Sequence, residues 1–218
     1  MNITSSSPIS LALVLAILSL LPLLLLCTTS LLKFSVVLVI VRNAMGVQQV
    51  PPSMAVYAIA LAGTMFVMAP TFDDAAHIAL GDDPAAMVSA PLDTERMSLA
   101  AEPFRNFMLK NTTPEGRAQF LEIASKHWSP EMMKRASDRD FAILIPAFVV
   151  SQLQSAFEIG FLLYVPFIVI DLLVSNLMLA LGMQMVSPMT VSMPLKLLLF
   201  VQIDGWAKLV KGLTDSYL

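Results

Sequence analysis

Charged side chains are absent from Met1 to Leu32, Asn43 to Phe72, Phe141 to Phe157, Ile159 to Ile170 and Leu172 to Leu195. Between the early and late runs lies a polar segment, Asp73 to Asp140. About 20 apolar residues in a helix match a hydrocarbon core about 30 Å thick. Residues 9–32 and 53–72 are long enough, as are 141–163, which contains Glu158, and 167–187, which contains Asp171. A last apolar piece, Leu195 to Val210, follows Pro188 and Pro194. Helix is the only open-chain form that pairs its own backbone groups in lipid. The pattern therefore predicts an all-α, integral-membrane-type protein with about four long apolar helices and a helical polar insert. It divides the chain into 1–72, two apolar helices with a cytoplasmic-type loop; 73–140, the insert; and 141–218, apolar helical hairpins with a methionine-rich loop and a carboxyl-terminal helix.

Inside the insert, Thr112, Pro114 and Glu115 predict a helix start: a hydroxyl cap, an early proline and an acid three residues after the cap. Ser129, Pro130 and Glu131 repeat the signal. Phe104, Phe107 and Met108, then Phe120, Leu121, Ala124 and Trp128, recur at helical spacing. With 68 residues the insert has a small core and is expected to lean on neighbours. The first apolar run lacks a basic n-region and exceeds the roughly 7–15 apolar residues of a signal peptide, so it is expected to be retained. Lys33 and Arg42 place the first loop in the cytoplasm and the insert outside. Lys208 and Lys211, after an even number of crossings, conflict with that rule.

Composition narrows the class. Of 218 residues 57% are apolar and 13% charged, against roughly 25% charged in soluble domains. Twenty of the charges lie between Asp73 and Asp140, which leaves nine for the rest of the chain. A water-soluble globule, a disordered tail and a disulfide scaffold are excluded. A net charge of −3 disfavours nucleic acid as a partner. Cys27 stands alone and forms no internal disulfide. No phosphate loop, HExxH, GxSxG or cysteine pair is present, so no catalytic residue, cofactor or metal site is predicted. His77 follows Asp73 and Asp74 at helical spacing but lacks a further ligand, and reads as a solvated face. His127, beside Trp128, reads as a helix end. GxxxG pairs are missing, so close helix dimerisation through glycine is not indicated.

The late apolar part carries the candidate chemistry. Glu158, Asp171, Lys196 and Asp204 interrupt it. Each costs about 2.5–3.5 kcal/mol at a bilayer centre. Asp204 is expected at a helix end in the headgroup region; Glu158, Asp171 and Lys196 are expected to be buried against protein. Met178, Met183, Met185, Met189 and Met193 cluster around Gly182, Pro188 and Pro194. A bend or loop is expected between Gly182 and Pro194. Its methionines serve either as gap-filling core or as a deformable collar that closes a pathway by excluding water.

Val41-Arg42-Asn43-Ala44-Met45-Gly46-Val47-Gln48-Gln49-Val50-Pro51-Pro52 is similar to the cytoplasmic-loop signature of the FliP/SctR family. Glu102-Pro103-Phe104-Arg105 resembles its insert motif, and Pro166 to Leu172 its third motif. Ala180 to Val186 resembles its methionine-rich loop; Pro194 to Phe200 and Asp204-Gly205-Trp206 resemble its carboxyl-terminal signature. The likeness covers about residues 11–213. It implies a pentameric core ring of the type III secretion export gate in the bacterial inner membrane, within the secretion basal body. The implied partners are SctS-type, SctT-type, SctU-type and SctV-type export apparatus proteins, and unfolded substrate proteins in transit.

Carried over by position, the resemblance makes Met183, Gln184 and Met185 a pore gasket, with Gln184 where a third methionine often stands. It gives Lys196 a charge partner across subunits. The usual acidic partner stretch reads Ser151-Gln152-Leu153-Gln154-Ser155-Ala156-Phe157 here, without its charges. Glu158 or Asp171 is therefore expected to meet Lys196. Members of the flagellar branch usually carry a longer, cleaved leader, and the Gln48 to Pro52 wording resembles the virulence branch, so an injectisome is expected. A different class remains open at this level: an ion-coupled membrane transporter using Glu158, Asp171 and Lys196 as a relay. A membrane-anchored enzyme with 73–140 as its head lacks a convergent catalytic set.

Overall fold

A computed structural model describes residues 8–47, 51–80, 94–183 and 185–217, which form ten α-helices and no strand. They are α1 (Pro8–Thr28), α2 (Leu31–Ala44), α3 (Ser53–Leu80), α4 (Thr94–Ala100), α5 (Glu102–Lys110), α6 (Pro114–His127), α7 (Pro130–Met133), α8 (Phe141–Ala180), α9 (Pro188–Gln202) and α10 (Gly205–Asp215). The protein is all-α. Helices α3 and α8 are each long and apolar enough to cross a membrane, and α1 with α2 supply a third span if counted together across their break.

The apolar pattern located the helices better than their ends. The run predicted at 9–32 breaks after Thr28, where the Thr28 hydroxyl donates to the Leu24 carbonyl at 2.7 Å and that of Thr29 to Leu25 at 2.5 Å. Such back-bonding competes with the helical ladder and bends it. Helix α3 runs past Phe72 through Asp73, Asp74 and His77. The stretches expected as separate helices at 141–163 and 167–187 are one helix of 40 residues, continuous through Pro166. One proline removes a single ladder bond, and apolar helices tolerate it where neighbours compensate. Pro194 lies inside α9, so the break falls at 181–187. The chain breaks again at Asp204, which has φ 53° between α9 and α10 and is exposed, a helix end as expected.

The chain forms two compact units. The first comprises 1–30 and 68–152. Its core is Met108, Leu144 and Phe148, with Phe107, Leu109, Phe141 and Ile145 packed around it, so the insert's apolar face rests on the first turns of α8. Helix α6 is capped by Thr113, one residue later than predicted; its hydroxyl accepts from the Gly116 amide at 3.2 Å. Thr112 instead donates to the Met108 carbonyl at 2.7 Å. Ser129 caps α7 as expected. Arg117 donates to the carbonyls of Leu109 (3.1 Å) and Thr112 (3.0 Å), satisfying groups that the end of α5 leaves open. Arg105 pairs with Glu102 and lies 4.3 Å from the Phe141 ring centroid.

The second unit comprises 31–67 and 153–218. Helix α2 is its buried strut: Lys33, Phe34, Val37, Leu38, Val41 and Ala44 are all covered. Single glycines admit close neighbours. A methyl group at Gly63 of α3 would overlap the Phe34 ring, and one at Gly160 of α8 would overlap Ile40. After α10 the chain end returns to α2. Tyr217 stacks on Phe34 with ring centroids 6.3 Å apart. Lys33 Nζ sits 3.9 Å from the Tyr217 ring centroid and 3.4 Å from Ser216 Oγ.

Candidate functional site

The late charges and the methionine loop meet on the α8–α9 hairpin. Helix α8 ends in a left-handed residue, Gly182, at φ 73°. The Met183 amide donates to the Met178 carbonyl and the Gly182 amide to that of Leu179, each at 3.0 Å. This paired closure satisfies the last carbonyls of α8 and needs glycine at the left-handed position. The chain then passes Met183 and Met185 before Pro188 opens α9. Met183 is exposed and Met185 fully so, at 100%. Gln184 lies outside the described residues.

Returning along α9, Ser192 and Lys196 share one face, a turn apart, and both reach Asp171 on α8. The Ser192 hydroxyl donates to Asp171 Oδ1 at 2.7 Å, and the Lys196 ammonium to Oδ2 at 2.6 Å. Lys196 also donates to the Ala44 carbonyl at 3.1 Å. That carbonyl belongs to the last residue of α2, where helical partners run out and the helix dipole favours a cation. Gly46, just beyond, takes φ 77° to turn the chain out of α2. The network thus ties the start of the first loop to the hairpin. Lys196 is 3% exposed, whereas Asp171 is 45% exposed in its own chain.

Of the three predicted charges, Lys196 and Asp171 come together within one chain. Glu158 does not join them; it is exposed and accepts from the Gln154 amide at 3.1 Å. Within its own chain Glu158 is exposed and Asp171 half exposed, so further burial of either requires a neighbouring copy. Sequence reasoning missed Ser192 and the Ala44 carbonyl. A hydroxyl four residues before a buried lysine, on the same helix face, was the available signal for the first. His77 and Asp73 are exposed, 3.7 Å apart. Among the described residues no three or more His, Cys, Asp or Glu side chains converge as a metal would require.

Residues 14–213 match the FliP family. The chain is 53% identical over 208 residues to harpin secretion protein HrpW of Pseudomonas syringae pv. syringae, covering 95% of this chain and all of that one. It is 49% identical to harpin secretion protein HrcR of Erwinia amylovora over 218 residues, all of both chains. It is 44% identical to Yop proteins translocation protein R of Yersinia pestis over 209 residues, 96% of each. The apolar helices and the hairpin signatures thus sit in a sequence that aligns end to end with secretion and translocation proteins. This chain belongs to the FliP/SctR family of type III secretion export proteins, in its injectisome branch.

Proposed function

We propose that this protein is a core ring subunit of the type III export gate. Copies of it, as a pentamer with SctS-type and SctT-type subunits, enclose a conduit for unfolded substrate proteins across the bacterial inner membrane. SctU-type and SctV-type components dock against that ring. The subunit performs no catalysis; energy enters through other components.

One observation carries this reading beyond family membership. The most apolar window of α8 is only 17% buried within the chain, and that of α3 28%. Faces that apolar must be covered by lipid or by other subunits. Subunit contact also accounts for Asp171: a carboxylate left half exposed beside a buried lysine can accept a further donor from a neighbouring copy. In this reading the α8–α9 turn points its exposed Met183 and Met185 into the conduit, and their thioether chains close it at rest by excluding water. The reading is tested by the native mass of the protein extracted in mild detergent. Several copies with other small membrane proteins are expected; a single-copy bundle overturns the proposal.

A further inference from the structure

We infer that the second unit holds one acyl chain of an anionic phospholipid, with Lys208 binding its phosphate. The unit contains a cavity of about 250 Å³ between α2, α8, α9 and α10. Val41, Leu163, Phe167, Phe200, Ile203 and Leu209 form most of its wall. An enclosed apolar void of roughly 150 Å³ accepts benzene, and this recess, which opens to the surface beside Lys208, is larger. Water finds no set of polar partners along that wall, whereas an alkyl chain matches it.

One charged group borders the cavity, Lys208. Its ammonium makes no hydrogen bond or ion pair among the described residues. It lies on α10, whose Gly205, Leu209 and Leu213 are buried while Lys208 and Lys211 are exposed. Trp206 packs edge-on against Phe200 at 5.2 Å between ring centroids. Lysines on the polar face of an amphipathic helix are the groups that attract anionic headgroups. The cavity wall includes α8, long and apolar enough to cross that membrane. A cation beside an apolar recess matches a phosphate joined to an acyl chain. A zwitterionic lipid has the same tail but no net charge for Lys208, and an apolar side chain from a second copy has no group for it at all.

The test is native mass spectrometry of the full chain, extracted in mild detergent as the assembly in which it leaves the membrane. Phosphatidylglycerol and phosphatidylcholine are added at equal concentration. One phosphatidylglycerol per copy is expected, preferred about fivefold, the ratio one lysine near an anionic surface carries. Lys208→Gln should abolish the preference and Lys208→Arg should keep it. Ile203→Trp, which fills the cavity, should release both lipids; Leu163→Phe serves the same purpose should that variant fail to fold. Equal retention of the two lipids by the unaltered chain, an unchanged preference in Lys208→Gln, or full retention in a filled variant each overturns the site. So does a filled variant that changes copy number and leaves lipid content alone, since the recess then belongs to a neighbouring copy.

Discussion

Lys196 has two acceptors, and losing either partner of its ion pair is not symmetric. Asp171→Ala strands an ammonium that is almost fully covered, which costs about 3 kcal/mol. Lys196→Met leaves a carboxylate that water already reaches, and Ser192 still donates to it, so the loss should be smaller. Thermal unfolding of the detergent-extracted protein checks the order; a larger drop for Lys196→Met would refute it. That Lys196 needed a carboxylate was legible from cost alone. Which carboxylate was not, because the choice depends on hairpin register. Asp171 and Glu158 lie thirteen residues apart on α8, about 20 Å along a helix, so one lysine cannot serve both. The turn at Gly182 settles the matter by folding α9 back beside the nearer acid.

Glycine substitutions separate packing from propensity at the level of the helix. Gly63→Ala drives a methyl into the buried Phe34 ring and should destabilise by about 1–3 kcal/mol. Gly212→Ala, on α10 with no neighbour near the added carbon, should stabilise by about 0.5–1 kcal/mol. Equal effects on the unfolding midpoint would show that Gly63 is not a contact point. At the hairpin tip, Met183→Ala with Met185→Ala should raise small-solute leakage of cells while leaving extraction yield unchanged. Unaltered permeability would reduce both to ordinary surface residues. Local chemistry was the most readable part of these elements: Ser129 and the glycine turn at 182 follow from hydrogen bonds within a few residues. The fusion of two expected helices into α8 was hidden, since Pro166, between them, looks like punctuation.

For the whole molecule, the uncovered apolar faces of α3 and α8 set the expectation that the chain is extracted with others. Fold class and membrane character were readable because charge placement along 218 residues is so uneven. The division into two units was not, as both α3 and α8 run across it and no composition change marks the crossing. The 40 residues of α8 follow a helical path of about 60 Å, twice the depth of the lipid tails. No membrane thickness matches that much apolar helix, so hydrophobic matching cannot choose its depth. Its seating must come from protein contacts, and secretion should hold steady when the host's fatty acids are made shorter or longer.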